Sequence, residues 1–332
     1  MSWKVLVTAR AFWVSGDEAS ARLQEAGCTV VRSPIAGPIP EGELTDLLRD
    51  CDAVIASSDP YTSHMFSALP HFKMVARCGV GYDRVDVSAA TEAGVIVTTT
   101  PGAMTEAVAD YTIGLMLAVA RSIPLGDALM KQCGWGEYPG VQLPGKTLGL
   151  VGFGAIGRGT AKRAAGFDMK IIACDPEWSN SSSLPPDVPA VEFTSLDDLL
   201  ARSDFVSLHA PALPETRRMF DASRFAQMKP TAYFINTARG ALVDEQALVD
   251  ALESKTIAGA AVDVYTEEPC PADHPLRKAP RCVLTPHNAF NAVEAAELMS
   301  SLCANSILAA IRGERPPGLL NPKVLSSPEL RC

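Results

Sequence analysis

The sequence predicts an α/β protein with two doubly wound parallel sheets, one in each of two domains. Apolar runs of strand length alternate with helix-like runs throughout, which is typical of parallel strands covered on both faces. The 332 residues are enough for two ordinary domains. A glycine-rich turn at Gly152–Gly157 joins one strand-like run to one helix-like run. Together these features predict that the second half of the chain forms the parallel sheet of a nucleotide-binding domain.

The first domain is predicted to hold five strands, at residues 5–8, 29–31, 53–56, 74–76 and 95–98. Its predicted helices lie at residues 18–26, 43–49 and 87–93. A long helical stretch at 105–132 follows, and Pro124 is expected to break or kink it because proline removes a backbone donor.

The second domain is predicted to hold about six strands, at residues 148–151, 170–173, 205–208, 232–236, 258–262 and 283–284. A helix is expected at 158–167, after the glycine turn, and another at 292–312 in the tail. The Asn-, Ser- and Pro-rich residues 180–186 are predicted to form a surface loop.

The glycine turn has the spacing G-x-G-x-x-G, formed by Gly152, Gly154 and Gly157. The glycines allow a tight turn and close approach of a pyrophosphate, which the N–H groups of the following helix attract. The next strand ends on Asp175, whose carboxylate suits the ribose hydroxyls and repels a 2′-phosphate. No Arg or Lys follows in Pro176–Trp178, so the sequence predicts NAD rather than NADP.

Composition and charge exclude several classes of function. The net charge is −9 with no basic block, which argues against nucleic acid as a partner. No apolar run reaches membrane-spanning length, and the N-terminus lacks the features of a signal peptide. The nine cysteines are scattered without a C-x-x-C, which predicts reduced thiols in the cytoplasm and no metal site.

Polar side chains follow several predicted strands of the second domain. Arg239 follows the strand at 232–236, Asp263 and then Glu268 follow the strand at 258–262, and His287 follows the last strand. Ligands of open α/β sheets bind at these carboxyl ends. A histidine can exchange a proton near neutral pH, a carboxylate can set its tautomer, and an arginine can hold an α-carboxylate. The set fits hydride transfer at an alcohol carbon.

The other four histidines are weaker candidates for the acid/base. His64 and His71 precede the dinucleotide-binding segment, and His274 is expected at the surface of a Pro-rich loop. His209 could serve, although Pro211 beside it suggests a loop shaped for backbone contacts.

Several motifs together resemble the D-2-hydroxyacid dehydrogenase family. They include Asn236–Gly240, Asp263–Pro269 and Thr285–His287, with Gly79–Asp86, Thr100–Asp110 and Gly145–Gly149. The resemblance covers nearly the whole chain and is closest to the phosphoglycerate dehydrogenase and glyoxylate/hydroxypyruvate reductase branch. It implies a Rossmann-like NAD-binding domain at 103–290 and a discontinuous, flavodoxin-like substrate domain at 1–102 and 291–332. Members are usually homodimers.

The resemblance also implies residue roles. Arg239 would bind the substrate carboxylate and carbonyl oxygen, His287 would be the acid/base and Glu268 its partner. Backbone at Val80 and Gly81 would meet the substrate carboxylate. The predicted cofactor-binding residues are Thr105, Gly152, Gly154, Ala155, Ile156, Gly157, Asp175, His209, Pro211, Thr237, Ala238 and Asp263, with Thr105 at the pyrophosphate and Asp263 at the nicotinamide carboxamide.

Departures from the family pattern argue against a phosphorylated substrate. Phosphoglycerate enzymes place an arginine in the segment that matches residues 56–61, where this chain has none and Asp59 is expected to repel a phosphate. Ala155 stands where the family often has arginine, and Asn288 and Phe290 follow His287. The leading prediction is an NAD-dependent dehydrogenase of a small D-2-hydroxy acid. The alternatives are D-3-phosphoglycerate dehydrogenase and an NADH-sensing corepressor-like protein.

Overall fold

The structure, a computed structural model, describes residues 2–178 and 183–332. Contacts between backbone atoms divide the chain into two compact units, Met1–Met104 with Asn291–Cys332 and Thr105–Phe290. The first unit therefore joins both ends of the chain, and the second is the segment between them. Of the predicted surface loop at 180–186, residues 180–182 lie outside the described residues.

The first unit contains a five-stranded parallel sheet in the order β2-β1-β3-β4-β5. The strands are β1 (Lys4–Val7), β2 (Thr29–Arg32), β3 (Ala53–Ala56), β4 (Met74–Arg77) and β5 (Ile96–Thr98). All of β3 and β5 is buried, because helices cover both faces of the sheet.

The helices of the first unit are α1 (Arg10–Ser15), α2 (Asp17–Glu25), α3 (Glu41–Leu48), α4 (Ser63–Ala68), α5 (Val87–Glu92) and, from the C-terminal part of the chain, α12 (Val293–Ile311). Arg22 of α2 donates to Ser301 of α12 at 3.2 Å. The tail then returns to β5, where Asn321 accepts from Val97 N at 3.0 Å and donates to Val95 O at 2.9 Å. These bonds fix the C-terminal segment to the first unit.

The second unit contains a seven-stranded parallel sheet in the order β12-β11-β10-β9-β6-β7-β8. The strands are β6 (Thr147–Val151), β7 (Lys170–Cys174), β8 (Glu192–Phe193), β9 (Phe205–Leu208), β10 (Tyr233–Asn236), β11 (Gly259–Val262) and β12 (Cys282–Leu284). The order reverses between β6 and β9, and a reversal of this kind leaves a crevice beyond the carboxyl ends of the strands.

The helices of the second unit are α6 (Thr105–Ala120), α7 (Ile123–Lys131), α8 (Ala155–Ala165), α9 (Leu196–Arg202), α10 (Ala222–Gln227) and α11 (Glu245–Glu253). α6 packs on α8, where Arg163 bridges Glu106 and Asp110 at 2.7 and 2.5 Å. One core cluster lies around Phe220, Phe225 and Phe234, and another contains Phe153 and Phe205.

The predicted α/β class with two doubly wound parallel sheets is confirmed. The long helix expected at 105–132 is two helices, because Ser122 takes a left-handed φ of 52° and Pro124 lies in the first turn of α7. Proline is tolerated there, where the lost N–H has no helical partner. The sequence-based predictions missed the short elements α1, α4, α9, α10 and β8, and they also missed α11, a nine-residue amphipathic helix.

The described chain contains no single helix that is long and apolar enough to cross a membrane. Only α6 and α7 taken together, bent by 65° at their junction, meet the requirement of length and composition.

Candidate active site

The glycine turn connects β6 to α8 in a conformation that side chains would obstruct. Gly152 has a φ of 96°, and a Cβ there would lie 2.7 Å from the His209 carbonyl. Gly154 faces open space within 4 Å, and α8 begins at Ala155, followed by Ile156. Gly157 packs against Gly152 O, where a Cβ would be 2.4 Å away. The turn thus offers a bare backbone and a helix N-terminus to a pyrophosphate.

Asp175 lies directly beside this turn. Its Oδ2 accepts from Phe153 N at 2.7 Å and its Oδ1 accepts from Glu177 N at 2.8 Å. Each oxygen keeps a second lone pair for a ribose hydroxyl. Arg158 donates to Phe153 O at 3.0 Å, and its guanidinium lies 5.6 Å over the Trp178 ring. The edge of the turn therefore carries a fixed carboxylate, and these residues fit a dinucleotide.

The turn after β10 presents Arg239. The buried Asn236 accepts from Ala238 N at 3.0 Å and donates to Arg239 O at 2.9 Å, which fixes the turn. Thr237 Oγ1 lies 3.1 Å from Thr112 Oγ1 of α6. The Arg239 side chain is half-buried and donates to Ala238 O at 2.7 Å. Asn236 is a positioning residue that sequence reasoning missed, although its place at a strand end was the available signal.

Glu268 and His287 meet as a hydrogen-bonded pair. Glu268 Oε2 lies 2.7 Å from His287 Nδ1, and Glu268 Oε1 accepts from Tyr265 N at 3.0 Å. Burial alone would raise the pKa of Glu268, but the His287 contact, the Tyr265 N–H and the charge of Arg239 together hold that pKa below its usual value. The carboxylate is therefore ionised, and it favours an imidazole that carries its proton on Nδ1 and presents Nε2.

Asp263 organises the segment that carries His287. Its buried carboxylate accepts from Thr285 Oγ1 at 2.6 Å, from Asn288 N at 2.9 Å and from Ala289 N at 2.9 Å. Its carbonyl accepts from His287 N at 2.7 Å, and His287 itself takes a left-handed φ of 52°. This unusual backbone persists because the surrounding bonds over-determine it.

Tyr265 connects the segments on either side of the pair. Its hydroxyl donates to Thr285 O at 2.9 Å, while its N–H holds Glu268. The ring of Phe290 packs edge-on against the His287 ring at 5.9 Å. Nothing in the sequence pattern singled out Tyr265, because its role depends on bonds between distant segments.

His209 and Pro211 lie after β9, beside the glycine turn. His209 Nε2 lies 3.0 Å from Ser207 Oγ, and burial lowers the pKa of this imidazole to about 4. His209 is therefore neutral near pH 7, which makes it a poor proton donor. Pro211 is exposed. Thr105, at the start of α6, faces α8, since a Cβ on Gly159 would lie 3.5 Å from its methyl group.

In the first unit, Val80 and Gly81 follow β4, and both are half-buried.

Asp59 was expected to repel a phosphate, but its carboxylate is buried and bonded to protein donors. Its carboxylate is 1% exposed and accepts from Thr8 Oγ1, Ile39 N, Ser57 N and Tyr61 OH at 2.5–3.3 Å. Burial and four donors give the Asp59 carboxylate a structural role.

His274, expected at the surface, is half-buried. Its side chain is 12% exposed, and Nε2 lies 3.3 Å from Glu245 Oε2. Among residues 2–178 and 183–332, no cluster of three or more His, Cys, Asp or Glu side chains could hold a metal ion.

Comparison with known proteins places this geometry in a family. Residues 113–289 match the model of the D-isomer specific 2-hydroxyacid dehydrogenase NAD binding domain. A glyoxylate reductase of Thermofilum pendens is 42% identical over 312 residues, covering 91% of each chain. The D-3-phosphoglycerate dehydrogenase of Methanocaldococcus jannaschii is 38% identical over 290 residues, which cover 86% of this chain and 55% of that protein.

Among solved structures, a glyoxylate reductase from Paecilomyes thermophila matches with a TM-score of 0.82 and 32% identity, covering 96% of this chain and 98% of that one. The sequence matches, the two parallel sheets and the glycine turn all agree with the predicted family. The chain therefore belongs to the D-isomer specific 2-hydroxyacid dehydrogenases and is an NAD-dependent oxidoreductase.

Proposed function

We propose that the enzyme reduces small 2-keto acids of the glyoxylate and hydroxypyruvate type to D-2-hydroxy acids. The observation that carries the proposal is the 2.7 Å contact between Glu268 and His287 beside the Arg239 turn, at the carboxyl ends of strands in the same parallel sheet whose strand β6 leads into the glycine turn. The glyoxylate reductases among the relatives support this substrate class.

Each residue has a distinct role in this proposal. Arg239 binds the substrate carboxylate and polarises the reacting oxygen. His287 donates a proton from Nε2 to that oxygen during reduction and removes it during oxidation, while Glu268 stabilises the charged ring. NAD, when bound, supplies or accepts the hydride. Val80 and Gly81 contribute backbone N–H groups to the substrate carboxylate, so the first unit is assigned as the substrate domain.

The cofactor is assigned to the residues around the glycine turn. The pyrophosphate is assigned to the turn and the start of α8, at Gly152, Gly154, Ala155, Ile156 and Gly157. Thr105 is assigned to the pyrophosphate as well. Asp175 receives the adenosine ribose. The strand-end residues His209, Pro211, Thr237 and Ala238 are also assigned to the cofactor, and Asp263 is assigned to the nicotinamide carboxamide. The support for this assignment is the bare Gly154 backbone at the start of α8 and the carboxylate fixed beside it.

The test is turnover with a panel of keto acids. Purified protein should oxidise NADH with glyoxylate or hydroxypyruvate, and His287→Ala should lower kcat by about 10²–10⁴-fold. Absence of turnover across a broad panel would contradict the proposal. A His287→Ala enzyme of near-normal rate would remove the acid/base assignment alone.

A phosphorylated substrate is the second candidate, and one feature of the first unit favours it. Arg77, at the end of β4, donates to Ser58 Oγ at 3.1 Å, so a guanidinium lies beside the segment that itself has no base. The ratio of kcat/KM for phosphoglycerate to that for glycerate decides between the two substrates.

The corepressor alternative predicts a stoichiometric protein partner whose binding depends on NADH, without turnover. A pull-down with and without NADH measures this.

We infer a homodimer from the surface around α7. The helix sequence is largely apolar, yet it buries no residue, and Ile123, Leu125 and Met130 are more than half exposed. Trp135, after the helix, is 85% exposed. A second copy of the chain would cover such a patch. Sedimentation should give a dimer, and Trp135→Glu should yield monomer.

The nine free cysteines support a cytoplasmic location.

A further inference from the structure

The turn that carries Glu268 lies between two carboxylates. Tyr265 N donates to Glu268 Oε1 at 3.0 Å, and the next amide, Thr266 N, donates to Glu245 Oε1 at 2.9 Å. Glu245 is the first residue of α11 and makes no contact with His287 among the described bonds. Two successive amides of one short turn are thus fixed, one by the active-site carboxylate and one by a carboxylate outside the site.

The second oxygen of Glu245 fixes a later point of the same segment. Its Oε2 lies 3.3 Å from His274 Nε2, and both side chains are largely buried, at 16% and 12% exposure. His274 Nδ1 accepts from Leu276 N at 3.4 Å, which places the ring proton on Nε2. A neutral His274 therefore donates to Glu245. Both oxygens of Glu245 therefore accept hydrogen bonds from the segment that begins with Tyr265.

The turn also supports Arg239. A Cβ on Gly240 would lie 2.0 Å from Tyr265 C, so the backbone after Arg239 packs directly on the Tyr265–Thr266 peptide. On its other side this peptide borders a cleft of about 410 Å³ whose lining includes Glu245, Thr266 and His274. Removal of the Glu245 carboxylate would admit water to Thr266 N, because the cleft is open to solvent.

We propose that Glu245 is a positioning residue that holds the Tyr265–Thr266 peptide so that Glu268 stays against His287 and Arg239 stays at the strand ends. The inference rests on the proposed roles of Glu268, His287 and Arg239. Glu245 acts through the backbone and touches neither substrate nor cofactor.

The experiment compares Glu245→Ala with Glu245→Gln, which keeps an acceptor for Thr266 N–H. Glu253→Ala, an exposed glutamate at the other end of α11, is the matched control. In Glu245→Ala, amide exchange of the peptide containing Tyr265 and Thr266 should accelerate, and kcat should fall by about tenfold or more, which is the effect of one lost hydrogen bond to a charged group. The KM for NADH should change by less than about twofold, since the glycine turn is untouched. Glu245→Gln should recover part of kcat, because its amide oxygen still accepts from Thr266 N while its amide nitrogen cannot accept from His274 Nε2.

The outcomes separate the two proposals. If wild-type protein turns over no keto acid, the proposed function fails, while amide exchange still tests the Glu245 contact. Unchanged exchange and kcat in Glu245→Ala would overturn the positioning role. Equal losses in Glu245→Gln and Glu245→Ala would also overturn it, because the acceptor for Thr266 would then be irrelevant. If Glu245→Ala does not fold, Glu245→Asp, which withdraws the acceptor by one methylene, should show faster exchange and reduced kcat, and wild-type values there would overturn the inference.

Discussion

Replacement of Glu268 by glutamine removes the charge beside His287 and keeps the shape of the side chain. Reduction needs a protonated imidazole and oxidation a neutral one, so reduction is favoured at lower pH and oxidation at higher pH. An opposite charge in contact moves a titration by about 1–3 units. Because the two side chains remain 29% and 25% exposed at 2.7 Å separation, solvent screens the pair. We expect both limbs of the profile, the pH ranges over which kcat/KM rises or falls, to move to lower pH, because glutamine does not stabilise the charged ring.

The assay is kcat/KM against pH in both directions for wild type, Glu268→Gln and the control Glu267→Gln, whose parent residue is the exposed neighbour. Glu267→Gln should leave both limbs in place. Unchanged limbs in Glu268→Gln would refute the assignment of Glu268 as the partner of His287, and the acid/base would have to be sought elsewhere.

Four further predictions concern stability and cofactor binding. The folded state holds the pKa of Glu268 below its usual value. The stability gained from the ionised carboxylate is therefore present above the unfolded pKa and lost as the pH falls through the folded pKa. The Tm difference between wild type and Glu268→Gln should vanish in acid, and a difference that stays constant with pH would contradict this. Gly152→Ala places a Cβ 2.7 Å from the His209 carbonyl at a φ of 96° and should lower stability by about 1–3 kcal/mol and abolish NADH binding by fluorescence titration; normal binding would argue against the tight turn. Asp175→Ser should raise the KM for NADH and reduce discrimination against NADPH. Unchanged values for both would mean that Asp175 does not face the ribose. Asn236→Ala removes the side-chain acceptor of Ala238 N and one of the donors to Arg239 O, which still accepts from Leu242 N at 3.4 Å. It should cost about 1–3 kcal/mol in denaturant unfolding and lower kcat/KM; a neutral effect would mean that the turn holds itself.

The sequence located the strands of both sheets to within about two residues, because buried parallel strands are short continuous apolar runs between helices. It missed β8, of only two residues, four helices of six or seven residues, and the nine-residue helix α11. A stretch such as Ser63–Ala68 has too few residues to show a helical period. Its start is fixed by Thr62, whose side chain accepts from Met65 N, and that is a capping bond of the folded chain.

The strand-end rule brought Arg239, Glu268 and His287 into one candidate set before any geometry was known. The family resemblance implied that Glu268 is the partner of His287, whereas residue spacing alone could not predict a bond between them, since the two residues follow different strands. It depends on the parallel pairing of β11 with β12 and on the Asp263 carboxylate that fixes the backbone around His287.

The sequence alone determined the α/β class, the glycine turn and the strand ends that carry polar groups, because each depends on residues close together in the chain. Only the tertiary structure decided that Asp59 is a buried acceptor, that His274 is covered, and that Glu245 holds the turn next to Glu268. The physical reason is that a buried polar group takes its role from the partners that satisfy it. Those partners come from distant segments, and only packing brings them within hydrogen-bonding distance.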